Sequence, residues 1–391
     1  MLFDSPFLNC CLVFLLTFGL AYFAIPSIIF FAKKKRLFDE PDDFRKIHLA
    51  KTPNLGGVAI FAAFAFATSF LDSDKVLGSW NYIFAALLIL FVTGLKDDVI
   101  GLSPLKKFLA QFLAAVIVVY LGDIRITDFH GIFGIHALPY SLSLAFTVVG
   151  CMFVTNAFNL IDGIDGLAGG IGLLVFSIFG GYFASVGSYG LAYMSFSMVG
   201  GLLAFLRYNI APAKIFMGDT GSLLLGFIAA ILSVKFVELN NTPLHSVGTG
   251  ASSLVVALAI LIIPVFDTFR VFVNRLYNGR PPFTADRNHI HHLLLDIGLN
   301  HFQASGILVA VNISFITVAY CLKNLNPNIA IGVLLLLAIG LFRIPLWLKT
   351  HKLSTLPAVP VPKRIVAEPL PKNEVSQVKK EMESPVMSGV I

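Results

Sequence analysis

The segment NAFNLIDGIDGLAGG places Asn156, Asn159, Asp162 and Asp165 at every third position, at the end of an apolar stretch. Two amides and two carboxylates at such a boundary are costly unless they meet a metal, a proton or a cation. Three-residue spacing keeps neighbours on one side of a helix while drifting by about 60° per step. The first two or three therefore share a face before Gly163 and Gly166 interrupt it. The pattern predicts a helix ending at a site, a Gly-rich bend that lets backbone approach a ligand, and a second helix beyond. Capping of that second helix is the simpler reading for Asp162 or Asp165 alone, but it leaves the two asparagines unexplained.

Four other segments carry comparable residues. GLKDDVIGL sets Asp97 beside Asp98, with Lys96, Lys106 and Lys107 close in sequence. NIAPAKIFMGDTGS runs from Asn209 to Ser222 and flanks Asp219 with Gly218, Thr220 and Gly221. Hard divalent cations take carboxylate and amide oxygens, and Mg²⁺ uses one or two protein carboxylates and fills its shell with phosphate and water. Asp219 and Asn159 suit that role, with an N-cap as the competing reading for Asp219. ADRNHIHHLLLDIG gathers Arg287, His289, His291 and His292, donors able to hold a diphosphate. Zinc is the other use of such histidines, but no cytosolic Cys partners them and the companion acids suit a harder ion. Finally, RKIHLAKTPNLGG offers Arg45, Lys46, His48 and Lys51 ahead of a Pro53, Gly56 and Gly57 turn, a place where a helix start can receive phosphate.

The elements that position these segments are apolar. The 391 residues are 57% hydrophobic and 13% charged, about half the charge of a soluble domain. At roughly 20 apolar residues per crossing, about eleven spans are predicted: 8–31, 56–71, 80–95, 108–122, 141–160, 167–186, 190–208, 221–239, 250–273, 303–322 and 327–347. The fold class is accordingly all-α, a polytopic integral membrane protein. The first stretch has its basic run after it rather than before, the reverse of a signal peptide, and reads as a retained helix. The four cysteines fall in or beside apolar spans without paired spacing and read as packing residues.

Assigning loops alternately to two sides puts Lys33 to Arg36, Arg45, Lys46, Lys51, Lys96, Lys106, Lys107, Arg207, Lys214, Arg275, Arg280 and Arg287 on one side. Little beyond Lys75, Arg125 and Lys323 falls on the other. The positive-inside bias then places the N-terminus outside, the C-terminus in the cytoplasm and all five polar segments on the cytoplasmic face. The net charge of +6 is explained by that bias, and no nucleic-acid motif is visible. Residues 1–348 read as one transmembrane domain and 349–391 as a polar, disordered cytoplasmic tail.

In order and spacing, the five segments resemble the polyprenyl-phosphate N-acetylhexosamine-1-phosphate transferases, glycosyltransferase family 4. The likeness covers nearly all of Met1 to Trp347. ADRNHIHHLL is similar to the WecA and TagO branch rather than to the MraY branch, whose histidine motif differs. The resemblance implies transfer of GlcNAc-1-phosphate, or a related N-acetylhexosamine-1-phosphate, from a UDP-sugar to undecaprenyl phosphate in a bacterial inner membrane. It also implies Mg²⁺, with Mn²⁺ as a substitute, and allows a homodimer. Carried over by position, Asn159 and Asp219 match the metal ligands, Asp97 and Asp98 the acceptor pair, and Asp162 and Asp165 the nucleotide-proximal acids. Lys107 matches the basic position facing the phosphates, and Arg287 with His289, His291 and His292 the donor-gripping loop. Lys46, His48, Asn156 and Asn209 complete the substrate-binding expectation. Direct displacement and a covalent aspartyl route both fit these residues. The competing readings are MraY-like transfer of phospho-MurNAc-pentapeptide and a phosphate-recognising transporter. One-sided acids and the lack of an internal repeat weigh against the transporter.

Overall fold

The computed structural model describes residues 3–35, 52–70, 78–240, 252–281 and 288–355. Lys46, His48 and Arg287, and the tail from residue 356, lie outside the described residues.

Each of the eleven apolar segments is helical. In chain order they are α1 (Pro6–Lys35), α2 (Gly56–Ser69), α3 (Trp80–Ile100), α4 (Pro104–Val116, continuing through a wider turn to Leu121), α5 (Tyr140–Ile161), α6 (Leu167–Ser185), α7 (Tyr189–Asn209), α8 (Gly218–Asn240), the pair α9 (Ser253–Ile260) and α10 (Ile262–Tyr277), then α12 (His301–Cys321) and α13 (Pro327–Thr355). A short helix, α11 (Ile290–Asp296), carries the end of the histidine motif. Eight of these helices are long and apolar enough to cross a membrane, or nine if α9 and α10 count as one broken span. The chain is a multi-pass membrane protein. Large apolar residues such as Phe7, Phe23 and Leu336 are more than 70% exposed, a surface suited to lipid.

Three expectations are corrected. The span predicted over 250–273 is not straight: α9 and α10 meet at 80°. Pro264 has no amide hydrogen to offer the Ile260 carbonyl four residues back, so a regular helix cannot run through. The α4–α5 connection holds a β-hairpin, β1 (Asp128–Ile132) antiparallel to β2 (Ile135–Ala137), which the all-α reading did not include. The final helix continues to Thr355, so the first residues assigned to the tail are helical.

Helix α8 is the central element, buried along nearly its whole length. A helix apolar on every face stands inside a bundle rather than at its surface. Its first turn marks one end of the bundle, where α3, α5 and α7 finish and α4 and α6 begin. All the chemistry-bearing motifs with described residues collect at this end. At the other end of α8, about 33 Å away by helix rise, Glu238 accepts the Thr127 amide and hydroxyl, both at 2.8 Å. There the hairpin also docks through Asn328, which accepts from Phe133 N and donates to Gly131 O.

Candidate active site

The site is organised around the N-terminus of α8, whose first amides have no partner within the helix. Asp98, from the end of α3, supplies one. Its Oδ1 accepts Asp219 N at 2.7 Å, and its Oδ2 accepts Thr220 N at 2.9 Å and Thr220 Oγ1 at 2.6 Å. Small residues allow this approach. A Cβ on Gly94 would stand 2.5 Å from Thr220 Cα, and one on Gly57 would stand 2.1 Å from Gly221 N. Gly218 has φ +71°, and a Cβ there would lie 2.7 Å from both Asp98 oxygens. The turn after Pro53 is tied to the same place by three backbone bonds: Phe216 N to Pro53 O, Gly56 N to Phe216 O and Gly57 N to Met217 O.

On this base sits a cluster of open polar groups. Lys107, in the first turn of α4, reaches Asp97 Oδ2 at 2.5 Å and also pairs with the Asp219 carboxylate. The other Asp97 oxygen accepts Leu102 N. Asn159, from α5, donates to Asp219 Oδ1 at 2.7 Å and to Ser222 Oγ at 2.9 Å. One helical turn below, the Asn156 and Gln111 side chains bond to each other across α5 and α4. Burial first, then the neighbouring Asp219 carboxyl, push Asp97 up to about 6, with Lys107 pulling the other way. Burial also pushes Asp98 up to about 7, against the donors from Thr220 and Asp219.

The bend after α5 separates its two acids. Asp162 has no hydrogen bond or ion pair to its carboxylate among the described residues. Burial and the charges of Asp219, Asp98 and Asp165 raise it well above the ordinary carboxylate range. Asp165 is buried and braced: its Oδ2 accepts Ala213 N, its own amide donates to His301 Nδ1 at 3.3 Å, and its carbonyl accepts Ser305 Oγ. Neither acid caps α6, whose start is Gly166 at φ +78°. Asn209, expected to touch substrate, is instead buried between backbones, accepting Gly166 N and donating to Ile215 O.

The histidine motif is also largely internal. Asp267 Oδ2 lies 2.9 Å from His289 Nδ1, while its Oδ1 accepts Ile290 N at 3.0 Å and Arg270 Nη2 at 2.8 Å. His291 packs its Nε2 edge against the Cα of Gly163, where a Cβ would come within 2.3 Å. Burial, with His292 beside it, brings His291 down to about 3, so the ring is neutral. His292 is half-buried and the most accessible of the three. His289 and His291, expected among the substrate contacts, stand at buried positions.

Of the expected residues, Asp97, Asp98, Lys107, Asn159 and Asp219 come together, with Asn156 one turn away and Asp162 within their field. Asp267, Arg270, Thr220, Ser222 and His301 were not singled out from sequence. Asp267 and Arg270 left a usable signal: two ionisable groups three residues apart inside an apolar run. Among the described residues no group of three His, Cys, Asp or Glu side chains is set to hold a metal ion. The oxygen donors of Asp219, Asn159 and Asp97 fit a hard cation that completes its shell with phosphate. Lys107, drawn between two of these carboxylates, marks where negative charge concentrates.

The model of glycosyl transferase family 4 matches residues 80–237, which include α3 through most of α8 and the whole cluster around Asp219. A probable undecaprenyl-phosphate N-acetylglucosaminyl 1-phosphate transferase of Bacillus subtilis (strain 168) is 31% identical over 345 residues, covering 86% of this chain and 91% of the relative. An undecaprenyl-phosphate alpha-N-acetylglucosaminyl 1-phosphate transferase of Escherichia coli (strain K12) is 31% identical over 80% of this chain and 84% of its own. A decaprenyl-phosphate N-acetylglucosaminephosphotransferase of Mycobacterium tuberculosis is 31% identical over 76% and 78%. Neither transport nor phospho-MurNAc-pentapeptide transfer is the activity named for these relatives.

Proposed function

Because the chain belongs to glycosyl transferase family 4, we propose that it transfers GlcNAc-1-phosphate from UDP-GlcNAc to undecaprenyl phosphate, releasing UMP. The observation that carries this reading is the cluster of Asp97, Lys107, Asn159 and Asp219 at the mouth of a membrane bundle. It brings carboxylates, an ammonium and an amide to one point where a lipid phosphate and a nucleotide diphosphate can meet. We place this face in the cytoplasm of a bacterial inner membrane, because the basic loops lie on the same side as the motifs.

In the reaction a lipid phosphate oxygen attacks the β-phosphorus, the bond from that phosphorus to the bridging oxygen breaks, and UMP leaves with that oxygen. Position and charge neutralisation supply most of the catalysis. Asp97 orients the acceptor phosphate and takes its proton where one is present. Lys107 places positive charge between the two carboxylates and the incoming phosphates. Asp98 holds Asp219 and Thr220 in place through the backbone of α8. Asp219 and Asn159 would hold Mg²⁺, with Mn²⁺ as a substitute. Bound there, the ion would supply Lewis-acid neutralisation of the diphosphate.

Purified full-length protein in detergent, given UDP-GlcNAc, undecaprenyl phosphate and Mg²⁺, should release UMP. Excess EDTA should stop release and added Mg²⁺ restore it. A folded protein that releases no UMP with any UDP-N-acetylhexosamine would sink the proposal.

A further inference from the structure

Helix α12 touches both walls of the site. At its first turns His301 and Ser305 grip Asp165, in the bend that carries Asp162 and Gly163. About 16 Å deeper by helix rise, fully buried Asn312 meets the break between α9 and α10. Its Nδ2 donates to Ile260 O at 3.1 Å, and its Oδ1 accepts Ile263 N at 3.4 Å.

Those two backbone groups are orphans of the bend. Pro264 cannot donate to Ile260 O, and Ile263 N lies in the first turn of α10, where no carbonyl precedes it in the helix. In an apolar interior each needs a partner, and one amide side chain provides both. The consequence lies further along α10. The bent arm carries Asp267 and Arg270, and these hold His289, the Ile290 amide and the Asn288 carbonyl. Beyond them His291 rests on Gly163.

We propose that Asn312 is a positioning residue: by stapling the two orphaned backbone groups at the break, it sets the direction of α10 and so seats the histidine segment against the Asp162–Gly163 bend. Helix α12 thus registers one wall of the site against the other. The inference rests on the proposed function only for its kinetic consequence, and takes from the family resemblance that the seated segment grips the sugar-nucleotide donor.

The test uses the full chain and Asn312→Leu, which can neither donate nor accept. Hydrogen exchange followed by mass spectrometry should show faster exchange in two segments, 260–265 and 288–294, with 140–161 unchanged. In UMP-release assays the KM for UDP-GlcNAc should rise roughly tenfold, while that for undecaprenyl phosphate stays where it was. Asn312→Gln, which keeps both hydrogen-bonding functions, should recover part of both effects and covers the case in which the leucine variant fails to fold. Unchanged exchange at 288–294, or equal rises in both KM values, would overturn the proposal. If the parent protein releases no UMP, the proposed function has failed, and exchange alone decides the role of Asn312.

Discussion

The end of α3 and the bend after α5 each present two acids, and the structure treats the members of each pair differently. At α3, Asp98 is spent on the amides of Asp219 and Thr220, while Asp97 faces Lys107. In the bend, Asp165 accepts Ala213 N on its carboxylate and donates its own amide to His301, while Asp162 has no partner among the described residues and is held up by burial. In each pair one carboxylate braces a distant backbone segment, whereas Asp97 binds the nearby Leu102 N with one oxygen and turns the other to Lys107 in the cluster, and Asp162 lies open to it. A motif of two aspartates therefore does not mean two equivalent ligands.

Replacement of each acid by asparagine should separate these duties. The largest effect is expected for Asp97→Asn and Asp162→Asn: turnover should fall by about 10²- to 10³-fold with little change in melting temperature. Comparable losses of activity and stability in these two variants would break the comparison. Asp98→Asn comes next. An amide cannot accept at both of its terminal atoms, so one donor of α8 would face an NH₂ group, at about 1–3 kcal/mol. Turnover should fall about 10- to 100-fold through the displaced Asp219, and the melting temperature should drop with it. Asp165→Asn should lower the melting temperature to a similar degree with the smallest loss of turnover of the four.

A smaller effect is expected from pH. With Asp97 up at about 6, lowering the pH through that value protonates it and cancels its pairing with Lys107, so kcat/KM should fall on the acid side. The acceptor phosphate titrates in the same region, near ~6. Asp97→Glu should shift the midpoint, whereas a profile set by the phosphate alone would not move.

Much of this arrangement was legible in the sequence, because the hydrophobic runs locate the helices and the polar residues stand out at their ends. The helix ending at Ile161, the bend through Gly163 and Gly166, and the start at Leu167 follow directly from the N-x-x-N-x-x-D-x-x-D spacing. What could not be read was the assignment of acids within a pair, since it depends on which amides a distant helix leaves open. Asp98 meets α8 across more than a hundred residues, a contact no local pattern encodes. Asn209, His289 and His291 look like ligands for the same reason: polarity announces a bond but not its partner. The break at Leu261 was masked by the apolar run around it, although Pro264 and Asp267 within that run pointed to it.

In the proposed reaction the phosphosugar, and not the sugar alone, is moved to the lipid at this cluster. UDP-GlcNAc labelled at its β-phosphorus, incubated with the purified protein and undecaprenyl phosphate, tests it directly. The label should pass into the lipid fraction in step with unlabelled UMP, and Asp219→Asn should abolish both. Label left in water-soluble UDP while GlcNAc appears on the lipid would contradict the claim.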